Sequence, residues 1–537
     1  MWGADEDEGR GPDRVYVLAI DLGSGGPKVG LVASTGDIVA SAAGRTTTYF
    51  FPEGGSEQDP HEWWRTISEA VKEVLSRAAV PAQRIVAVSC TSMWSVIVPV
   101  DEHGEPLMNA VHWLDTRGGP YNRAIAKGFP SIQGYGLGRL LKWVRRTGMA
   151  PTHGGVDALG HMLFIKNERP EVYRKTYKFL EPMDYINLRL TGRCVSCQSN
   201  VFPMMMTDNR RPSITEYDPG LLRLAGIDKE KLPELLPNDG IVGPLLPSVA
   251  EQFGLDPSTK VILAANDNHT AAIGAGAVRD FDAVWVLGRS GFLAGHVPFK
   301  KTDILHAITT MPSPLPGRYL ILAEMGNAGQ SVEFFLNNVV YPNDEYRSGS
   351  PLPADRYGRL SRAAAEAPPG SGGVLFMPWL NGSLTPQENP LMRGGFLNLS
   401  HKVTRGHLSR AVLEGCAFHL RWMLGPVEKF MGRRFRFLRL GGGGALSDVW
   451  AQIHADVVGM PIHQLSDPLN ANVRGAAFLA FDRLGYGSIA DVPDKIGIAR
   501  VYEPSAGHRE LYDRLFRQFL AAYRRTEPIC TALNSRV

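Results

Sequence analysis

Cysteine is scarce: five in 537 residues. That is too few for a disulfide scaffold and suits a reducing compartment, so a cytoplasmic location is expected. Long hydrophobic runs are missing. No stretch reaches the roughly 18 apolar residues of a membrane span, so a membrane is not an expected partner. Excess charge of either sign is absent too. Lys and Arg number 57 against 54 Asp and Glu, a net +3, which argues against nucleic acid as a partner. The start, Met1-Trp-Gly-Ala-Asp-Glu-Asp-Glu-Gly-Arg10, has neither the basic end nor the apolar stretch of a signal peptide. Residues 1–13 read as a loose tail. Several catalytic signatures also fail. No Gly-Lys dipeptide occurs, which excludes a Walker A loop. His61-Glu-Trp-Trp-Arg65 has arginine where a zinc-protease motif needs its second histidine, and Gly288-Arg-Ser-Gly291 is not the GxSxG elbow of hydrolases. Gly274-Ala-Gly276 and Gly442-Gly-Gly444 lack the third glycine of a dinucleotide fingerprint. Cys194-Val-Ser-Cys197 is a CxxC with no second pair, and reads as structural rather than as a metal or redox site.

What is present begins at Val15. An apolar run ends in Asp21, turns through Gly23, Gly25 and Gly26, meets Lys28 and resumes as an apolar run to Val32. Short unbroken apolar runs suit buried strands. Glycines let backbone N–H groups approach a ligand, and a lysine beside them favours phosphate. An acid at the strand end suits a hydrated Mg²⁺, which proteins often hold through one or two carboxylates. A solvated acid on a plain structural hairpin fits the same residues. A related pattern of strand, Gly-containing turn and strand restarts at Val284–Ala294. Two hairpin-led halves suggest a duplicated α/β architecture with a boundary near 279, in a chain long enough for more than one domain. The expected division is 14–278 and 279–525, with a tail at 526–537.

Three further segments carry chemistry. Asn266-Asp267-Asn268 stands at the C-terminal end of the buried strand Val261–Ala265 and opens a small-residue helix. Ligands of α/β sheets bind beyond the carboxyl ends of strands. An aspartate there can take the proton of an attacking hydroxyl, and it can equally cap the helix. Leu440-Gly-Gly-Gly-Gly-Ala-Leu-Ser447 joins an apolar strand to a helix. Four glycines in a row cost much entropy, which favours a loop pressed by a ligand, with Ser447 as a candidate N-cap. Trp113-Leu-Asp-Thr-Arg117 places an aromatic and two charges at a strand end, where a surface ion pair beside a half-buried tryptophan fits equally well.

In order, these segments resemble the FGGY family of carbohydrate kinases, in the actin-like ATPase superfamily. The resemblance runs through Asp21–Lys28, Glu57-Gln-Asp-Pro60 with Trp63-Trp64, Trp113–Arg117, Asp184-Tyr185 before Leu190-Thr-Gly192, and Asp267-Asn268 before Ile273-Gly-Ala-Gly276. It continues with Pro378-Trp-Leu-Asn-Gly382, Arg393-Gly-Gly-Phe396, Glu414-Gly415, Gly441–Ser447 and Arg474-Gly-Ala-Ala477, covering about residues 15–525. The xylulokinase-like branch is the most similar. The resemblance implies an α/β fold of two ribonuclease-H-like domains with sugar and ATP in the cleft between them. It implies ATP-dependent phosphorylation of a small sugar or polyol, with Asp267 as general base and Asp21 holding Mg²⁺ through water. Ser24, Lys28, Gly288, Arg289 and Ser290 would face the ATP phosphates. Gly326, Gly329, Gly442, Gly443 and Ser447 would surround the nucleotide. Met93, Trp94, Ser95, Trp113, Asp267 and Asn268 would line the sugar pocket. Dimers are common in the family, so a homodimer is expected.

The chain departs from the family pattern in places. Arg289 stands where the family has threonine, and Met93-Trp-Ser-Val96 replaces the Gln-Met-His-Gly of typical xylulokinases. A non-catalytic sugar- or nucleotide-binding protein, or a glycerol-type kinase, would use the same scaffold.

Overall fold

A computed structural model describes residues 14–345, 349 and 351–535; the expected N-terminal tail lies outside them. Continuously buried apolar runs form Tyr16–Gly23 (β1) and most of Gly26–Ala33 (β2), which with the more exposed edge strand Ile38–Ala43 (β3) make an antiparallel meander. Ile85–Ser92 (β4) joins β1 in parallel, and Lys260–Leu263 (β6) joins β4 in parallel, with Ile241–Pro244 (β5) antiparallel at the edge. The first sheet therefore runs β5-β6-β4-β1-β2-β3.

The second half repeats this plan. Its strands are Ala283–Leu287 (β7), Gly291–Val297 (β8), Thr302–Asp303 (β9), Ile308–Pro312 (β10), Tyr319–Glu324 (β11), Leu438–Gly441 (β12), Ile462–Leu465 (β13) and Ile498–Tyr502 (β14). They are ordered β9-β10-β11-β8-β7-β12-β13-β14. The core order β11-β8-β7-β12-β13, with its antiparallel trio followed by parallel strands, repeats β3-β2-β1-β4-β6. The echo between residues 15–32 and 284–294 is thus a duplication of topology.

Helices cover the sheets. Pro60–Ala78 (α1) is N-capped by Asp59, whose carboxylate accepts from the His61 N–H, and it buries Trp63, Ile67, Val71 and Val74. Pro182–Thr191 (α2) and Asp267–Gly274 (α3) follow, then Gly329–Phe335 (α4), Arg405–Met431 (α5), Asp448–Val458 (α6), Ala471–Leu484 (α7) and Arg509–Asn534 (α8).

Two boundaries differ from the sequence reading. The last helix, Arg509–Asn534, runs on through the expected tail, so residues 526–534 are not a tail. Ile529 and Leu533 are exposed there, which leaves no apolar periodicity to read, and Pro528 looks like a helix breaker. The last turns are held by polar contacts instead. Asn389 Nδ2 donates to Glu527 Oε1 at 3.1 Å, and Asn534 Nδ2 donates to the Leu391 carbonyl at 3.2 Å.

The halves also interlock. α7 belongs to the second half by sequence, yet Val473, Ala476, Phe478 and Phe481 pack into the core of the first sheet. α7 crosses α3 through glycines. A Cβ on Gly274 would lie 1.7 Å from the Ala471 carbonyl oxygen, and one on Gly475 would lie 2.0 Å from that of Thr270. Gly274 and Gly475 are therefore required by the contact between these helices.

Candidate active site

The β1–β2 hairpin sets Asp21 directly across from Lys28, with Lys28 Nζ 3.7 Å from Asp21 Oδ2. Asn472, on α7, donates to the same oxygen at 3.3 Å. Asp21 Oδ1 is buried without a partner. Burial raises the Asp21 pKa, and the Lys28 charge and the Asn472 hydrogen bond oppose the rise.

Asp267 is the first residue of α3, and its Oδ1 is likewise buried without a partner. The helix N-cap position falls to Asn266, which makes no side-chain cap bond; its amide donates to the Ser199 carbonyl and its Oδ1 meets His269 Nδ1. Asp267 is thus free of the capping duty that its position allowed. Burial, the Asp21 charge and the Glu324 charge together push its pKa up to about 8. Glu324 ends β11 on the opposite half, and burial raises its pKa to about 7. Three carboxylates therefore act in one cleft, with Lys28 the counter-charge among the groups acting on Asp267.

The tip of the first hairpin is tied to the expected sugar wall. Trp113 Nε1 donates to Ser24 Oγ at 2.8 Å, and Gln58 Nε2 donates to the Ser24 carbonyl at 2.9 Å. Trp63 Nε1 in turn fixes Gln58 Oε1 at 2.9 Å. Arg117 is consumed by structure: it pairs with Asp115 and with Glu57, and its guanidinium lies 4.1 Å from the Phe164 ring centroid. Trp113–Arg117 is therefore an ion-pair corner beside Trp113, buried rather than on the surface where the sequence would have put it.

The loop after β4 is also clasped. Met93 N–H donates to the Leu22 carbonyl at 2.8 Å, Ser95 Oγ donates to the Val156 carbonyl at 2.9 Å, and Val96 N–H donates to Glu181 Oε2 at 3.0 Å. Ser95 sits at φ 60°, a left-handed conformation that costs about 1 kcal/mol or more for a non-glycine residue and persists only where neighbours impose it. Trp94 stacks on Phe202 at 6.0 Å between ring centroids. Met93 and Asn268 are buried, and Trp94 and Trp113 are half-buried.

On the second half, Gly288–Ser290 forms the β7–β8 turn. It is pinned by bonds from Gly329 N–H to the Gly288 carbonyl and from Gln330 N–H to the Arg289 carbonyl, at 3.0 and 2.9 Å. A Cβ on Gly329 would lie 2.4 Å from the Gly288 oxygen, so this approach requires glycine. Gly326 lies beside it at φ 85°.

The four-glycine loop divides its duties. Cβ atoms on Gly442 and Gly444 would collide with Leu287, at 2.6 Å in each case, so these two glycines serve packing. Gly443 is exposed, with only Leu469 at 4.0 Å from its Cβ position. Ser447 caps α6, accepting from Trp450 N–H, and shares a 2.9 Å hydrogen bond with Ser361. Ser447→Ala is expected to lower stability by about 1 kcal/mol, read as a shifted urea midpoint at constant slope.

The expected site residues are drawn from both halves of the chain. Asp21, Ser24, Lys28, Met93, Trp94, Ser95, Trp113, Asp267 and Asn268 come from the first half, and the glycine turns, Arg289 and Ser447 from the second. Sequence reasoning missed Glu324 and Asn472. Glu324 ends an apolar strand as Asp21 does, so the same signal was there to read. Cys194 and Cys197 are free thiols. Among the described residues no group of three or more His, Cys, Asp or Glu could hold a metal, and none of the helices is long and apolar enough to cross a membrane.

Two sheets of this order around one cleft make an actin-like ATPase fold. Residues 16–274 match the model of the FGGY family of carbohydrate kinases, N-terminal domain, and residues 286–482 match that of its C-terminal domain. The chain belongs to the FGGY family of carbohydrate kinases, ATP-dependent phosphotransferases. It is 28% identical to the xylulose kinase of Bacillus subtilis (strain 168) over 522 residues, covering 97% of this chain and 99% of that one. It is 26% identical to the gluconokinase of the same strain over 511 residues, covering 94% and 95%. Among solved structures, a ligand-bound xylulose kinase from Lactobacillus acidophilus superposes with a TM-score of 0.81 at 22% identity, over 95% of this chain and 98% of that one.

Proposed function

We propose that Asp267 is the general base of this kinase, removing the proton of a sugar or polyol hydroxyl as it attacks the γ-phosphoryl group of ATP. The carrying observation is its buried Oδ1, which has no hydrogen-bond partner, at the start of α3 and under the electrostatic influence of Asp21 and Lys28. A raised pKa strengthens a carboxylate as a base once it is ionised. Loose phosphoryl-transfer transition states need alignment and charge neutralisation more than covalent help.

Asp21, with its free buried oxygen, fits a hydrated Mg²⁺ that is shared with phosphates. That ion would neutralise phosphate charge. Lys28 adds a fixed positive charge beside it. Ser24, Gly288 and Ser290 face the phosphates, and Gly326, Gly329, Gly442, Gly443 and Ser447 surround the nucleotide. Met93, Trp94, Ser95, Trp113 and Asn268 shape the sugar pocket. Closing the two walls excludes water, which would otherwise compete as the acceptor. The setting is the cytoplasm and the assembly a homodimer, which light scattering checks.

ADP release with MgATP, followed over a panel of ketoses, aldoses, polyols and sugar acids, tests this reading. Sugar-stimulated turnover that Asp267→Ala removes supports it. Equal stimulated turnover in wild type and variant rejects the base.

A further inference from the structure

The two oxygens of Asp21 are treated differently. Oδ2 is engaged twice, by Lys28 Nζ at 3.7 Å and by Asn472 Nδ2 at 3.3 Å. Oδ1 is buried and has no partner. The two contacts on Oδ2 also differ in kind. Lys28 is an ammonium on a long, partly exposed stem, and a phosphate in the cleft competes with Asp21 for its charge. The Asn472 amide carries no net charge, so a phosphate does not draw it away in the same manner.

Asn472 is also held where it stands. It lies in the first turn of α7, between residues that touch the first half on two sides. The Ala471 carbonyl oxygen would lie 1.7 Å from a Cβ on Gly274, and the Thr270 carbonyl oxygen 2.0 Å from one on Gly475, so this turn presses on α3. A Cβ on Gly30 would lie 2.7 Å from Val473 Cγ1, so it presses on β2 as well. Packing this close gives the backbone around Asn472 little room to shift. The amide thus reaches Asp21, 451 residues away in the chain, from a support fixed against both the β1–β2 hairpin and the helix that begins with Asp267.

A carboxylate turns freely about its last bond, where the torsion is broad, and turning exchanges its oxygens. A fixed donor on one oxygen removes that freedom and leaves the other for a ligand. Hydrogen bonds to an ionised group are among the stronger ones. The Asn472 bond also favours the ionised form of Asp21, against the effect of burial.

We propose that Asn472 is a positioning residue for the metal-holding carboxylate: by fixing Oδ2 of Asp21 it presents Oδ1 to the hydrated Mg²⁺ of the nucleotide. This rests on the reading of Asp21 given above.

The test uses Asn472→Leu, which keeps the bulk and the helix and lacks the donor, beside Asn472→Ala. Two quantities are read. One is KM for MgATP against KM for the acceptor. The other is the ratio of ADP affinities in excess Mg²⁺ and in EDTA, measured by calorimetric titration, which needs no turnover. In both variants KM for MgATP is expected to rise roughly 10-fold, and the affinity ratio to fall by a similar factor. The acceptor KM and the ADP affinity in EDTA are expected to stay unchanged. An Asn472→Leu variant with the wild-type ratio overturns the proposal, and a loss confined to Asn472→Ala would assign the residue to packing. A rise in acceptor KM as large as that for MgATP overturns it too, because the side chain would then serve α3 rather than Asp21. If wild type makes no ADP with any acceptor, the kinase reading fails and the titration decides alone. A Mg²⁺-dependent gain in ADP affinity that Asn472→Leu loses supports the proposal, and no such gain in wild type rejects it.

Discussion

Asp267→Asn is expected to lower sugar-stimulated ADP release by about 10³-fold or more in kcat, near the upper range for loss of a general base, while the protein becomes more resistant to heat. The two effects have one cause. Burial and the charges of Asp21 and Glu324 raise the folded-state pKa of Asp267 to about 8, against an ordinary value of 3.8. The folded protein then holds a proton that the unfolded chain gives up, so Asp267 costs stability increasingly as pH rises from about 4 to about 8. Asparagine keeps the shape and removes the charge. Its stabilising effect is therefore expected to be absent below pH 4, to grow through neutrality, and to level off above pH 8. Melting curves at pH 4 and pH 8.5 check the sign, at roughly 1–2 °C per kcal/mol for a chain of this length. A variant that loses activity and also melts lower at pH 8.5 would mean that Asp267 serves the fold.

The second large effect concerns Gly475→Ala. The added methyl would lie 2.0 Å from the Thr270 carbonyl oxygen. Both partners are backbone of packed helices, so neither yields cheaply. Overpacking of this kind costs about 3 kcal/mol at the upper end of its usual range. Thr270 lies one turn along α3 from Asp267, so displacing α3 displaces the base. Misplacement of about 1 Å costs on the order of 100-fold in rate. The expected outcome is a lower urea midpoint together with at least that loss of kcat/KM. Gly138→Ala is the control, because Gly138 is helical, exposed and has nothing within 4 Å of its Cβ position. It is expected to leave both quantities nearly unchanged.

The hairpin and the strand-end acid were legible because their signals are local. An acid at the end of a short unbroken apolar run marks both Asp21 and Asp267, and a glycine turn adds to the signal at Asp21–Lys28, without any knowledge of distant residues. The repeated topology was legible for the same reason, since each half announces itself with a hairpin. What failed to show depends on segments far apart in the chain. The Asn472 hydrogen bond to Asp21 exists only because α7 returns to the first sheet, and no feature of Ala471-Asn-Val-Arg474 says so. The resemblance puts Trp94 in the sugar pocket, but one of its faces is taken by Phe202. The four glycines read as one ligand loop. Two of them answer to Leu287, a residue of another strand, and Gly443 alone stands open. Glu324 is the instructive omission: it ends an apolar strand just before Gly326 and Gly329, the same local signal that marks Asp21.

The most direct test of the central claim is the pH dependence of kcat/KM with both substrates limiting, in wild type and in Glu324→Gln. This quantity reports ionisations of the free enzyme. A base with a pKa raised to about 8 by burial and two like charges gives an acid limb several pH units above the ordinary carboxylate value. Activity then falls as pH drops through the limb, because the carboxylate is protonated. Removing the Glu324 charge removes one of the groups that raise it, so the limb in Glu324→Gln is expected to move to lower pH. A wild-type limb near pH 4, or a limb that Glu324→Gln leaves in place, would contradict the assignment of Asp267 as the base held between these carboxylates.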